Sequence, residues 1–276
     1  MEDDFQVFSS LRYDPALLEV PARNLSHAGW NWTTSSPLYM LDYHRDRMLR
    51  AAAHWGWDAA VELLFGEAGL KRLEERIMDH IGENEPSPQK VRVAITRHGQ
   101  LFISCGPVPT TTLANLFPTQ LPSPDQSPSD DPNDFVPSTA HGYQILVDGP
   151  HTARSEHTYF KTTKRAPYDG ARQRAQISLP DKKEVLIVNA VDGSVMEGSI
   201  TTPYFWRDGR WVTPVVSREY SADEGSGGQN GTSRRWALER GIAVEGTMPA
   251  ASLVDGEACW LSNGARGFFY GTVTLS

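Results

Sequence analysis

The stretches FKTTKR at residues 160–165, VMEGS at 195–199 and GTSR at 231–234 decide how this sequence is interpreted. They supply, in that order, a lysine amine, a carboxylate after a strand and turn, and a glycine-led turn that opens a predicted helix. Backbone N–H groups at a helix N-terminus bind phosphate, since they point outward at the positive end of the helix dipole. The three stretches therefore predict a site for a phosphorylated ligand that reacts with an amine.

Pyridoxal phosphate (PLP) is a cofactor that needs these three groups. Its aldehyde needs an amine, its ring nitrogen needs an anion, and its phosphate needs N–H donors. We assign the amine to Lys161 and the anion to Glu197. Cations beside a buried lysine, here Lys164 and Arg165, lower its pKa and make the amine more nucleophilic. Lys164 is the rival for the reactive amine.

Each of these residues also has an ordinary structural interpretation. Most lysines are solvated surface residues, and a glutamate on a strand often faces water. A Gly/Ser-rich stretch such as 221–230 is usually a flexible linker. The order and spacing of the three stretches, which span much of the second half of the chain, favour the cofactor site.

The same stretches resemble the fold-type-IV PLP enzymes, which include the class-IV aminotransferases and the 4-amino-4-deoxychorismate lyases. In that family the reactive lysine begins a Lys-x-x-Asn-Arg-like segment, which Lys161 and Arg165 match, with Lys164 in place of the asparagine. The sequence after Glu197 resembles the family's Glu-Gly-Ser-x-x-Asn-x-Phe. Thr202 stands at the asparagine position, which is a departure from the pattern.

The resemblance also implies three anchors for the phosphate. GTSR resembles the family's Gly-Ile/Val-Thr-Arg, whose middle residues correspond to Thr232 and Ser233. His-x-x-Arg-Met at 44–48 resembles a helical His-x-x-Arg-Leu, so Arg47 is expected to reach the phosphate, with its histidine packed or capping. LSNGA at 261–265 resembles the final turn of the site, where the N–H groups of Gly264 and Ala265 would contribute.

The resemblance is closest to the aminodeoxychorismate lyases, especially those of fungi. Branched-chain aminotransferases place a tyrosine five residues after the lysine, where this chain has Ala166. The resemblance thus implies conversion of 4-amino-4-deoxychorismate to 4-aminobenzoate and pyruvate, a step in making a folate precursor. That substrate is a dianion, for which we predict the cations Arg12, Lys164 and Arg165.

Two alternatives stay open. The first is a class-IV aminotransferase that acts on a D-amino acid, a branched-chain amino acid or an (R)-amine. The second is a non-catalytic relative that keeps the fold as a binding protein. The resemblance also implies a homodimer.

Composition limits the other possible functions. The net charge of −8 and the pI near 5.5 argue against a nucleic-acid-binding protein, which needs a basic face. Two cysteines are too few for a disulfide framework or a zinc cluster, and the histidines lack metal-ligand spacing, so we expect no metal. The acidic first residues do not form a signal peptide and no apolar run is long enough for a membrane span. The expected location is the cytoplasm.

The pattern of elements predicts an α+β fold with two domains, as in the D-amino acid aminotransferase-like proteins. A small N-terminal α/β domain is expected at 1–150 and a larger β-rich, PLP-binding domain at 151–276. Helices are predicted from a cap at Asp42 to Gly56 and from Asp58 to Gly82. The proline-rich segment 117–140 is predicted to be a surface insertion, because its composition cannot form a packed core.

Overall fold

The computed structural model describes residues 4–82, 85–125, 142–178 and 181–275. They form the predicted α+β fold, divided into two compact units. Unit one contains residues 1–113, 160–164 and 264–266, and unit two contains residues 114–159, 165–263 and 267–276. The predicted division near residue 150 differs from this, because the strand at 143–147 pairs within the large sheet of unit two.

Unit one contains a small antiparallel sheet in the order β1-β2-β3. Its strands are β1 Val7–Tyr13, β2 Gln89–Ile95 and β3 Leu101–Pro107. Its helices are α1 Trp30–Thr33, α2 Leu41–His54, α3 Asp58–Leu64 and α4 Gly66–Ile81. Helix α2 contacts β1, so side chains of the strand and of the helix lie next to each other.

The helix starts differ from the sequence prediction in two places. The residue that precedes α2 is Met40, in the left-handed conformation, and Asp42 lies within the first turn, where its charge complements the helix dipole. The single helix predicted from Asp58 to Gly82 is two helices. The break falls at Phe65, whose extended backbone separates α3 from α4.

Unit two contains a mixed sheet in the order β6-β5-β4-β11-β10-β7-β8-β9. The strands are β4 Tyr143–Val147, β5 Lys183–Val188, β6 Val195–Gly198, β7 Thr202–Arg207, β8 Arg210–Pro214, β9 Val244–Gly246, β10 Ala258–Asn263 and β11 Gly267–Val273. The helices are α5 Leu113–Leu116, α6 Glu156–Tyr159, α7 Ala166–Arg174 and α8 Thr232–Glu239. Helix α7 packs on β5, which fixes the side chains of α7 against this sheet.

The beginning of the predicted insertion is part of the core of unit two. Phe117 and Leu121 are buried, and the indole of Trp211 donates to the carbonyl of Leu121 over 3.0 Å. Aromatic contacts therefore outweigh the proline-rich composition over these residues. Residues 126–141, which include most of the predicted insertion, lie outside the described residues. In the described ranges, no helix is long and apolar enough to span a membrane.

Candidate active site

The segment 160–164, which carries Lys161, is held in unit one by the first residues of β1. The N–H of Phe8 donates to the carbonyl of Lys161 over 3.0 Å, and the N–H of Thr163 donates to the carbonyl of Gln6 over 2.9 Å. These bonds give the segment strand-like antiparallel pairing on both sides of Thr162, the residue that follows the lysine. The Lys161 ammonium lies 5.1 Å from the ring centroid of Phe8, within the range of a cation–π contact.

A short hydrogen-bond chain lies on the surface shared by β1 and α2. The guanidinium of Arg47 donates through Nη2 to the hydroxyl of Ser9, and this hydroxyl lies 2.7 Å from Nδ1 of His44. Since Ser9 accepts from Arg47, its own proton is directed to His44 Nδ1. The histidine and the arginine of the His-x-x-Arg motif are therefore both hydrogen-bonded to the hydroxyl of Ser9. No sequence pattern pointed to this serine.

His44 is buried, and burial holds its pKa well below the usual value, with further lowering by the charges of Arg47 and Lys161. The imidazole is therefore neutral, with Nδ1 accepting and Nε2 carrying the proton. This agrees with the expectation of a packed histidine. The charges of Arg47 and Lys161 both lower the pKa of His44, so both cations lie near this imidazole.

The turn at Gly264 and Ala265 belongs to unit one and contacts the same residues. A Cβ atom at Gly264 would lie 2.6 Å from Nε2 of His44 and 2.8 Å from the carbonyl oxygen of Ser10. Real Cβ atoms do not approach other atoms this closely, so a glycine is required for this turn to lie against His44. The turn is thereby fixed beside the Arg47–Ser9–His44 chain.

Arg12, predicted to bind substrate, is buried completely beneath this turn. It donates to Asp14 at 2.7 Å, to the carbonyl of Pro109 at 2.9 Å and to the carbonyl of Ala265 at 3.3 Å. Its Nη2 atom is buried and has no hydrogen-bond partner among the described residues. A buried N–H donor without an acceptor is costly, and an anionic ligand would satisfy it.

Glu197 lies on β6 and its carboxylate is buried in unit two. The hydroxyl of Tyr168 donates to Oε1 over 2.5 Å, and the N–H of Gln229 donates to the same oxygen over 3.3 Å. Hydrogen bonds to a carboxylate favour its charged form. The carboxylate is thus held by a side chain of α7 and by the loop that precedes α8.

That loop connects Glu197 to the N-terminus of α8. A Cβ at Gly228 would lie 2.5 Å from the carbonyl of Met196, and a Cβ at Gly231 would lie 2.9 Å from the hydroxyl of Thr202, so both glycines allow close approach. Thr202, the departure from the family pattern, is therefore in contact with the helix start. Gln229 and Thr232 are three residues apart, so the chain between them spans at most about 11 Å.

Thr232 and Ser233 are the first residues of α8, and both are buried. Gly231 precedes the helix and has no side chain that could cap it. The first N–H groups of α8 therefore lack a side-chain cap and point outward from the helix N-terminus, as in sites that bind anions. The hydroxyl of Ser233 lies 2.8 Å from that of Ser262, which lies 2.9 Å from the hydroxyl of Tyr204. These buried hydroxyl groups join the first turn of α8 to β10 and β7.

A second buried carboxylate, Glu184 on β5, was not identified from the sequence. Its Oε1 accepts from the N–H of Val185 at 2.8 Å and from both the N–H and the hydroxyl of Ser199, at 3.1 and 2.5 Å. Its Oε2 accepts from the N–H of Ile200 at 3.3 Å and from the hydroxyl of Thr201 at 2.9 Å. Glu184 therefore shapes the turn that follows Glu197. A glutamate within the apolar strand sequence KEVLIV was the available signal.

Two arginines converge on Ser199 in the same turn. Arg165 donates to its carbonyl over 2.8 Å, and Arg172 on α7 donates to its hydroxyl over 3.0 Å. The guanidinium of Arg165 also lies 4.8 Å from the ring centroid of Tyr168. By contrast, the ammonium of Lys164 lies in unit one, 5.2 Å from the ring centroid of Phe5.

The predicted site residues thus fall into two groups, each assembled within one unit. Unit one brings together Lys161, Arg47, Arg12 and the turn at 264–265. Unit two brings together Glu197 and the start of α8. Unit one supplies an amine, and unit two supplies a hydrogen-bonded carboxylate and a helix N-terminus; each of these groups is one that PLP requires, so the residues fit this cofactor.

A family model for amino-transferase class IV matches residues 29–270. The aminodeoxychorismate lyase of Saccharomyces cerevisiae is 28% identical over 221 residues, which cover 74% of this chain and 56% of the yeast protein. The chain therefore spans little more than half the length of this curated relative.

Solved structures are similar to this chain over nearly its whole length. A candidate amino-acid aminotransferase from Mesorhizobium loti has a TM-score of 0.64 at 20% identity, covering 98% of this chain and 100% of that one. A candidate 4-amino-4-deoxychorismate lyase from Legionella pneumophila has a TM-score of 0.64 at 11% identity, covering 98% and 82%. At these identities the similarity confirms the predicted fold and leaves the reaction to other arguments.

Proposed function

This chain belongs to the amino-transferase class IV family, and we propose that it is a PLP-dependent lyase that converts 4-amino-4-deoxychorismate to 4-aminobenzoate and pyruvate. The observation that carries the choice of lyase is the similarity to yeast aminodeoxychorismate lyase over 74% of the chain. Ala166, in the place where branched-chain aminotransferases have a tyrosine, supports the same choice.

We assign each group of the cofactor to residues of this chain. Lys161 would hold the aldehyde carbon through its ε-amine, and Glu197 would keep a proton on the ring nitrogen. The first N–H groups of α8 at Thr232 and Ser233, together with Arg47, would bind the phosphate. When bound, PLP supplies an electron sink for the charge left by removal of a proton.

The reaction requires one residue that moves a proton. The amine of Lys161 would remove the proton at the amine-bearing carbon of the substrate. The adjacent carbon–oxygen bond then breaks, the ring becomes aromatic and the enolpyruvyl group leaves. That group takes up one proton to become pyruvate, so no water and no acceptor is consumed.

The two carboxylates of the substrate require cations. Arg165 is tied to Ser199, and Arg12 is tied to Asp14 but retains a buried Nη2 without a hydrogen-bond partner in the described part of the chain. We propose that Arg12, Lys164 and Arg165 bind the substrate's carboxylates, since a guanidinium can bind a carboxylate through two N–H groups.

The decisive experiment offers 4-amino-4-deoxychorismate to the PLP-loaded protein and measures pyruvate and 4-aminobenzoate without any 2-oxo acid. Stoichiometric release of both products is expected. In parallel, D-amino acids, branched-chain amino acids and (R)-amines are offered with 2-oxoglutarate. Glutamate formation without pyruvate release would make the protein an aminotransferase, and a protein that stays colourless with added PLP would make it a non-catalytic relative.

Borohydride reduction followed by peptide mapping tests the position of the amine. We expect the label on Lys161, and a loss of about 10³-fold or more in kcat for Lys161→Ala, the range of a lost general base. The matched variant Lys164→Ala should keep the label at position 161 while raising KM. A label at position 164 would refute the assignment.

We further propose a homodimer, as in related enzymes of this fold type. Light scattering at several protein concentrations measures the mass directly. A mass of one chain at all concentrations would refute this part of the proposal.

A further inference from the structure

A buried tyrosine, Tyr168, contacts the carboxylate of Glu197 but has no role in the function proposed above. Its ring packs on α7 and the sheet, within a cluster formed with Ala171, Val185, Ile187 and Met196. Its hydroxyl reaches Glu197 Oε1 at 2.5 Å, while the carbonyl of Thr158 lies 3.2 Å from the same hydroxyl. The shorter contact, to the charged acceptor, is the stronger one.

The charge state of Tyr168 is fixed by its surroundings. Burial raises its pKa well above the usual value, and the charge of Glu197 and its hydrogen bond raise it further. Gln229 and the guanidinium of Arg165 act in the opposite direction and do not outweigh these effects. The hydroxyl therefore stays protonated and acts as the donor to the carboxylate.

The contact joins a side chain of α7 directly to the carboxylate that the proposed function directs at the cofactor. We propose that Tyr168 is a positioning residue that acts through Glu197 on the ring nitrogen of PLP. Its hydroxyl fixes the orientation of the carboxylate, so that it can accept a hydrogen bond from the protonated ring nitrogen. This inference rests on the function proposed above, in which Glu197 faces that nitrogen.

The test measures the dissociation constant of PLP from the apoprotein, which requires no turnover. Tyr168→Phe removes the hydroxyl and keeps the ring, and it should weaken PLP binding about tenfold, as expected for a lost hydrogen bond to a charged group. The matched control is Tyr159→Phe, which also removes one buried hydroxyl. That hydroxyl lies 3.0 and 2.9 Å from the carbonyl oxygens of Ser217 and Arg218 and shares its one proton between them, so the control should bind PLP as the wild type does.

Two further measurements separate a positioning role from a packing role. In a Glu197→Ala background, which removes the acceptor of the Tyr168 hydroxyl, the additional change Tyr168→Phe should have no effect on PLP binding, because the effect passes through Glu197. With 1-deaza-PLP, whose ring nitrogen is replaced by carbon, the wild type and Tyr168→Phe should bind equally. Tyr168→Met serves as a second variant if the phenylalanine variant does not fold.

Equal weakening of PLP and 1-deaza-PLP by Tyr168→Phe would overturn the inference, because a purely structural role affects both ligands. Unchanged PLP binding by this variant would also overturn it. In both cases borohydride labelling of Lys161 and release of pyruvate and 4-aminobenzoate by the wild type would show that the proposed function still stands. Failure of the wild type to bind PLP or to be labelled at Lys161 would overturn both proposals.

Discussion

Two buried glutamates, Glu184 and Glu197, lie on the neighbouring antiparallel strands β5 and β6, and they are held in different ways. Both oxygens of Glu184 accept hydrogen bonds from backbone and hydroxyl groups of the adjacent turn. Glu197 accepts from Tyr168 and Gln229, which come from separate elements and contact a single oxygen. Glu184 is thus held by the turn that it stabilises, whereas Glu197, which we propose faces the ring nitrogen of PLP, is held by α7 and by the loop before α8.

The largest expected effect is a loss of stability in the variant Glu184→Ala. This change leaves several buried donors around residues 199–201 without an acceptor, each at a cost of about 1–3 kcal/mol, and we expect a loss of about 4 kcal/mol in the free energy of unfolding. Urea unfolding followed by circular dichroism measures it. A loss below 1 kcal/mol would show that Glu184 is not needed by the turn.

The next effect is on the cofactor, in Glu197→Gln. The amide has the shape of the carboxylate but not its charge, and we expect PLP affinity to fall about 100-fold, or about 2.7 kcal/mol. The free energy of unfolding of the apoprotein should change by less than about 1 kcal/mol, because the amide oxygen still accepts from Tyr168. If stability falls as much as in Glu184→Ala, the contrast between the two carboxylates is lost.

A smaller effect is expected for Ser199→Ala. The Ser199 hydroxyl donates to Glu184 and accepts from Arg172, so its removal should lower the free energy of unfolding by about 2 kcal/mol. Because Ser199 belongs to the structural network, PLP affinity should change no more than about threefold. Equilibrium dialysis of the apoprotein with PLP measures this affinity. A loss of affinity close to that of Glu197→Gln would show that the hydrogen bonds of Glu184 and those of Glu197 are not independent.

The smallest effect is the alkaline sensitivity produced by Tyr168. Its pKa is raised in the folded protein, chiefly by burial, whereas the unfolded chain releases this proton near pH 10. The stabilising contribution is therefore complete below pH 10 and decreases above it, by about 1 kcal/mol between pH 10 and 11. Urea unfolding at these two values should show this extra loss in the wild type and not in Tyr168→Phe. Equal losses would argue against a protonated Tyr168–Glu197 contact.

The sequence predicted the α+β fold, most strands and the order of the cofactor-binding stretches, because these depend on local patterns. The role of Glu197, inferred from the Glu-Gly-Ser stretch, stays a prediction. The buried Glu184 was missed, since its partners arise from pairing of β5 with β6. The cap at Asp42 was wrong because the conformation of Met40 decides where α2 begins. The roles of Ser9 and Tyr168 depend on contacts between distant segments, which no local pattern contains.

The close approach of Gly264 to His44 limits how this sequence can diverge. A methyl group at position 264 would collide with the imidazole ring and with the backbone of Ser10, so replacing glycine alone is not tolerated by the turn. A smaller side chain at position 44 would relieve the first collision but not the second, because the carbonyl oxygen of Ser10 would still lie 2.8 Å from the added methyl group. Random libraries at both codons should therefore retain glycine at 264 whatever residue they return at 44.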